Sequence, residues 1–447
     1  MGRLFFLGLG LSLTLTASLP VCAQGSVKPG DLAPNSQPQM TPPAQARHRQ
    51  KQLNFIQPQR YDLKTYSVSA ATESHWRQTL WATALLEPDL SETRTALAGL
   101  LQLGTQGNLT APETRILEQT LQVATQFYTA DPKRENQLEQ ALTQLTETSP
   151  SSQWAAMALS ALTLGGLDPA QVNRYRQSLE VRFPGADEFL AVALRDLDEQ
   201  IQPSPLPPLG DLVNWQIAPN QSQLYVFCRP QRGTLCRAFL KDKTGAWFRE
   251  SGQPGAPLWS IPLSGRSLHG LRWNFIRGST PQGLYRIDGV MPRSEAPYFP
   301  AYGQFPLLKV FLPQEDARFT PSLAQYQTLL PPRWREYFPL QQSYWAGRLG
   351  RSLIRIHGSG EFPDFFSNNR RFPQSWGWNP AIGCLSALEW YDERGQLLKA
   401  DMPDLLERLS QAQGGSLEGY LLVVDIPGDE TAPVKEAEIE ALIHQRR

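Results

Sequence analysis

The feature that most restricts the fold is a change in hydrophobic period across Ile201-Gln202-Pro203-Ser204-Pro205-Leu206-Pro207-Pro208-Leu209-Gly210. Proline removes a backbone donor and pushes the residue before it out of the helical region, so neither a helix nor a central strand runs through this stretch. Before it, apolar residues recur at helical spacing; after it, they alternate. The chain therefore reads as α+β and multidomain. An all-α domain covers residues 72–202, a Pro-rich hinge 203–211 and a mostly β domain 212–428, with a C-terminal helix over 429–447. The 447 residues are enough for a core in each part.

In the first part, helices are predicted around residues 76–86, 92–103, 135–145, 153–164 and 188–200. Thr110-Ala111-Pro112-Glu113 and Asp168-Pro169-Ala170-Gln171 each read as a capping box with Pro in the first turn. Behind the first box, Ile116, Leu117, Leu121, Ala124, Phe127 and Tyr128 form one apolar stripe. No fixed period aligns these segments, so any helical-pair array here is short. Trp76, Trp81 and Trp154 read as core residues rather than a sugar-stacking platform.

In the second part, strands are predicted at residues 223–228, 235–241, 284–288, 307–311, 353–357, 384–390 and 420–425, with a helix near 402–413. Cys228 and Cys236 lie symmetrically about the turn between the first two strands. That permits a cross-strand disulfide in an oxidising compartment; two unbridged, inward-facing thiols are the alternative.

The N-terminus points to such a compartment. Met1-Gly2-Arg3 is positive, residues 4–19 are apolar, and Val21-Cys22-Ala23 offers small residues before Gln24. Residues 1–23 thus read as an export signal peptide, with an uncleaved anchor or lipidation at Cys22 as alternatives. Each places the rest of the chain outside the cytoplasm, in a periplasm or against a cell wall. Residues 24–71, rich in Pro, Gln, Ser and Asn at the start, read as a flexible linker. Lys plus Arg and Asp plus Glu balance at 42 each, and no basic run carries interleaved aromatics, which argues against a nucleic-acid partner. Membrane association would come only through an uncleaved signal. No motif calls for a metal or a cofactor.

With Cys22 in the signal and Cys228 and Cys236 across one turn, Cys384 is the thiol left over. It sits in Ala381-Ile382-Gly383-Cys384-Leu385, where a new strand begins. Upstream, Leu353-Ile354-Arg355-Ile356-His357-Gly358 is an alternating, β-branched run that delivers a His at its end. An imidazole beside a thiol can take its proton, and the two need be neighbours only in space. A buried Cys acting as a small hydrophobe is the plain alternative. Earlier still, Thr280-Pro281-Gln282-Gly283 turns directly into the strand Leu284-Tyr285-Arg286-Ile287.

This order of motifs resembles the YkuD-type catalytic domain of the L,D-transpeptidases, over residues 212–428. That family usually writes Ser/Thr-His-Gly-Cys, then an apolar residue, then Arg or Asn. Here the frame reads Ala381-Ile382-Gly383-Cys384-Leu385-Ser386, without the second His, the Ser/Thr or the Arg/Asn, and the loop after His357 is longer. The resemblance implies an exported cysteine acyltransferase acting on peptidoglycan stem peptides. Cys384 would be the nucleophile and His357 the base. The N–H groups of Cys384, Gly383 and Ile382 would face the oxyanion, and the Gly358 carbonyl would hold the His357 ring. What stabilises the thiolate is left open by the departures.

His269 is the rival base, read as a solvated loop residue. The loop 361–380 carries Phe362, Phe365, Phe366, Arg370, Arg371, Trp376 and Trp378. It reads either as a substrate-binding wall, with Arg370 and Arg371 on stem carboxylates beside Trp376 and Trp378, or as an irregular loop pinned by aromatics. Residues 293–304, with Tyr298, Phe299 and Tyr302, are a second lid candidate. Two other functions stay open: a cysteine L,D-carboxypeptidase on the same substrate, and a non-catalytic protein that binds the wall or a protein partner through its helical domain.

Overall fold

A computed structural model describes residues 40–444 apart from 186, 252, 254, 292–302, 316–318, 320 and 321. The proposed export segment and the lid candidate over 293–302 lie outside the described residues.

Helices α1 (Pro42–Leu53), α2 (Glu73–Leu86), α3 (Ser91–Leu101), α4 (Ala111–Ala130), α5 (Asn136–Thr148), α6 (Ser152–Leu164), α7 (Pro169–Arg182), α8 (Glu188–Ile201) and α9 (Leu209–Val213) come first in the chain. Local chemistry accounts for their starts. The Thr110 N–H donates to Glu113 Oε2 at 2.7 Å ahead of α4, and the Asp168 carboxylate accepts from the N–H groups of Ala170 and Gln171 at the head of α7. Trp76 is fully buried with its indole N–H on the Tyr66 carbonyl, and Trp154 is half-buried. Trp81 is not a core residue: it is 36% exposed, because five residues along a helix is about 140° around its axis from Trp76.

Residues 40–71 correct the expectation of a flexible linker. Helix α1 packs on α2, Met40, Ile56 and Tyr61 are buried, and the Tyr61 hydroxyl lies 2.7 Å from Thr83 Oγ1. Few apolar anchors suffice when a neighbouring surface receives them, so composition under-reads such a segment. The Pro-rich stretch is also held in place. The Ser204 N–H and hydroxyl both bond Glu199 at 2.7 Å, and the Pro208 carbonyl accepts from the Trp334 indole at 3.2 Å.

Strands β1 (Gln223–Cys228), β2 (Cys236–Lys241), β3 (Ser260–Ser264), β4 (Gly283–Met291), β5 (Leu307–Phe311), β6 (Arg355–Gly358), β7 (Leu385–Ala387) and β10 (Glu418–Asp425) close a barrel in the order β1-β10-β4-β5-β6-β7-β3-β2. β1 pairs parallel with β10 and β6 with β7; the other ladders are antiparallel. The run expected as one strand over 384–390 divides after Ala387. β8 (Glu389–Tyr391) leaves the barrel to pair with β9 (Leu397–Ala400) as a separate two-stranded sheet. Short helices α10 (Leu323–Thr328) and α11 (Gln342–Arg348) precede β6, while α12 (Met402–Gln413) and α13 (Glu436–His444) flank β10. Cys228 and Cys236 are bridged across β1 and β2.

Every barrel strand contributes alternate residues to one apolar cluster, among them Val226, Ala238, Leu263, Ile287, Val310, Ile356, Leu385 and Val423. All eight strands can meet only inside the barrel, so this parity is the interior. The opposite parity, which includes His357 and Ser386, faces outward. A second cluster covers part of that outer surface, with Tyr225, Phe239 and Val424 packed against Tyr326, Trp334 and Ile439.

Bundle and barrel share a core. Leu268, Leu271, Phe275, Phe365 and Phe366, all from barrel loops, pack among Ile116, Leu121 and Leu145 of the bundle. Asp196 of α8, 1% exposed, takes two hydrogen bonds from Arg272 at 2.7 and 2.8 Å and one from the Trp273 indole at 2.6 Å. The Gln200 amide adds a fourth at 3.1 Å, and burying that carboxylate is tolerable only because these donors converge on it.

Candidate active site

The register of β6 on β7 brings the two motif residues together. Ile356 pairs with Leu385 and His357 with Ser386, so Cys384 sits one step before the first pair and shares the outward face with His357. Diagonal neighbours on one face lie roughly 7–8 Å apart between Cα atoms, within reach of long side chains. Both residues are deeply placed, Cys384 at 5% and His357 at 2% exposure.

His357 Nδ1 lies 2.7 Å from the Gly358 carbonyl oxygen. A carbonyl only accepts, so Nδ1 carries the proton and the basic lone pair is on Nε2. Burial pushes the imidazole down to about 4, the Gly358 bond acting the other way, so the ring is neutral near pH 7. Cys384 is not bridged, and its Sγ lies 3.8 Å from the Leu353 carbonyl oxygen. Leu353 itself adopts φ +62°, which costs a branched side chain on the order of 1–3 kcal/mol and starts the ordered strand later than its alternating sequence predicts.

The Thr-Pro-x-Gly motif arrives at the same place. The Thr280 hydroxyl donates to the Cys384 carbonyl at 3.3 Å, and the Tyr285 hydroxyl closes back onto the Pro281 carbonyl. Gly283, at φ +121°, fits where a Cβ would lie 2.4 Å from Ser343 Oγ and 2.5 Å from the Leu340 carbonyl oxygen.

Sequence reasoning missed Arg351. Its guanidinium donates to the carbonyls of Trp273, Gly278 and Ser279, and its Nη2 stands 2.4 Å from where a Cβ on Gly383 would be. Gly383, at φ +122°, therefore makes room for this cation. Burial pulls Arg351 down to about 10, with Tyr285 and Cys384 acting to raise it. The charge of this guanidinium reaches Cys384 and would favour a thiolate there. Nothing in Leu349-Gly350-Arg351 marks it, because only the fold brings that turn under Gly383.

The other candidates separate. His269 is not solvated: it is 1% exposed, its Nδ1 lies 3.0 Å from Gln126 Oε1 of α4, and burial, with Arg277 adding to it, pushes it down to about 3. It sits in the junction with the bundle. Arg371 makes a two-pronged ion pair with Glu87 at the end of α2, while Arg370 is exposed. Trp378 is half-buried with its carbonyl on Arg266, and Phe365 and Phe366 belong to the bundle core. The loop is thus pinned between the two halves. Of the four proposed substrate-binding residues, Trp376 lines a cavity at the far end of β6.

Among the described residues, no group of three or more His, Cys, Asp or Glu is arranged to hold a metal, and no helix is long and apolar enough to cross a membrane. Comparison with family models, with curated proteins and with solved structures returned no match.

Proposed function

We propose that the chain is an exported cysteine-dependent acyltransferase of L,D-transpeptidase type, acting on peptidoglycan stem peptides. The observation that carries this reading is the meeting of three motifs far apart in sequence, with Thr280 on the Cys384 carbonyl and His357 on the strand beside Cys384. In this reading the neutral His357 takes the Cys384 proton at Nε2. The thiolate, favoured by Arg351, attacks the carbonyl that joins a diamino acid to the terminal D-residue. The N–H groups of Cys384, Gly383 and Ile382 receive the oxyanion; one such donor is typically worth roughly 3 kcal/mol of barrier. His357 then passes its proton to the departing amine, leaving a thioester. An incoming stem amine gives a cross-link, and water gives a trimmed stem.

A carbapenem tests this by acylating the thiol. It should add one covalent mass to Cys384, lost in Cys384→Ala and slowed in His357→Ala, and products on muropeptides then distinguish cross-linking from trimming. The deep placement of Cys384 and His357 favours a second reading, a wall- or partner-binding protein without turnover. A folded protein that no carbapenem labels would support that second reading.

A further inference from the structure

We propose that the cavity at the C-terminal end of β6 binds an organic ammonium group. The strand leaves Gly358 into Ser359 and Gly360, which form part of the wall of a cavity of about 200 Å³. That is smaller than a drug-sized pocket and suits a side chain or a headgroup. Cys384 lies at the other end of the β6–β7 pair, so this site goes beyond the acyl-transfer reading and stands apart from it.

The wall is aromatic. Phe362, Trp376, Trp390 and Tyr391 all line it. Of the four Phe or Trp side chains that are at least 36% exposed among the described residues, these contribute three: Phe362 at 39%, Trp376 at 38% and Trp390 at 40%. Aromatic surface gathered in one concavity and left uncovered marks a binding site more often than chance exposure does. Its π faces attract cations, tryptophan most strongly.

The charge agrees. Two glutamates line the cavity, and no Lys or Arg is among the described lining residues. Glu361 is 5% exposed; its Oε1 is 3.2 Å from His48 Nδ1 of α1, and its Oε2 has no hydrogen-bond partner among the described residues. A buried carboxylate oxygen without a donor is unfavourable, and an ammonium N–H is the donor it lacks. Glu389, 3% exposed, accepts from the Gln304 N–H at 2.7 Å and from the Tyr391 hydroxyl. Two carboxylates repel an anion, while Met40 and Leu398 offer apolar surface to an alkyl chain.

The backbone is shaped to seat these groups. A Cβ on Gly358 or Gly303 would lie 2.1 or 2.2 Å from Glu389 Oε2, and one on Gly377 would lie 2.8 Å from the Trp390 ring. Glycine at the three positions lets Glu389 and Trp390 stand against the chain.

The ammonium has two possible sources, a primary amine on a lysine-like or diamino-acid side chain and a quaternary ammonium headgroup. Calorimetric titration of the full-length protein carrying Cys384→Ala keeps the result independent of any acyl chemistry. Cadaverine probes the first source, choline the second, and neutral 3,3-dimethylbutanol controls for shape. At least one cation should bind saturably and about tenfold more tightly than the neutral alcohol. Trp376→Ala and Glu361→Gln should each weaken it by roughly tenfold, with Trp376→Phe recovering much of the loss. The preferred cation identifies the source. The proposal fails if neither cation binds up to about 20 mM to folded protein, or if the neutral alcohol binds equally well. Trp390→Ala, on an exposed side chain, repeats the test should Trp376→Ala not fold.

Discussion

Replacing Arg351 with methionine removes a buried positive charge from beside Cys384 while keeping most of the side chain's volume. Two unit charges within a few ångströms at an effective dielectric near 20 interact by up to about 4 kcal/mol, and about 3 kcal/mol is taken for this pair. Applied to the forming thiolate, that is roughly a hundredfold in the rate of any reaction that uses it. The same substitution takes donors from the carbonyls of Trp273, Gly278 and Ser279, so stability should fall by about 3 kcal/mol as well. The two effects are separable. Alkylation of Cys384 by iodoacetamide, followed by intact-mass spectrometry between about pH 5 and 9, reads thiolate supply without requiring any substrate. Arg351→Met should react about a hundredfold more slowly near neutrality, and its pH–rate profile should move to higher pH, because loss of a nearby cation disfavours the anion. Arg351→Lys keeps the charge but not the fork and should recover part of the rate. If folded Arg351→Met reacts within about threefold of the parent at every pH, the guanidinium is only a tie between three carbonyls, and its electrostatic role is wrong.

Two further outcomes follow from the packing. Asp196→Asn removes the charge that holds Arg272 and the Trp273 indole at the junction of bundle and barrel, and should cost on the order of 3–5 kcal/mol in urea unfolding. Because Phe275, Phe365 and Phe366 are shared core, bundle and barrel should unfold in one transition; two separated transitions would contradict the shared core. The pH dependence of stability has a definite sign. His357 and His269 are pushed down to about 4 and about 3 in the folded chain, so below pH 6.5 the unfolded chain binds protons that the folded one does not. Stability is therefore full above about pH 6.5 and falls by about 1.4 kcal/mol per pH unit for each ring on the way down to its folded value. His269→Gln should reduce the measured slope by about 1.4 kcal/mol per pH unit between about pH 6 and 4; an unchanged slope would mean that His269 takes up its proton as easily when folded.

Much of the secondary structure was legible because its causes are local. The box at Thr110, the cap at Asp168 and the β-branched and aromatic run Tyr225-Val226-Phe227 act over a few residues, and each element forms where its own pattern places it. β3 was missed because Pro262 and two serines obscure its alternation, although it completes the barrel between β2 and β7. Polar residues misled for a related reason. Gln122 and Gln126 of α4 lie beside the predicted apolar stripe but carry no apolar signal of their own, yet both are buried, and they meet Arg277 and His269 of the barrel.

Local pattern placed most of the helices and strands, the change of period near residue 202, an imidazole at the end of one run and a thiol at the start of another. Strand periodicity and capping are short-range, so one chain segment carries them. Long-range packing is what sets β6 parallel to β7 with His357 and Cys384 on one face, fills with Arg351 the space a side chain on Gly383 would need, and docks residues 40–71. Those outcomes depend on which distant surfaces exclude water together, and burial between segments hundreds of residues apart leaves no periodic trace in either one.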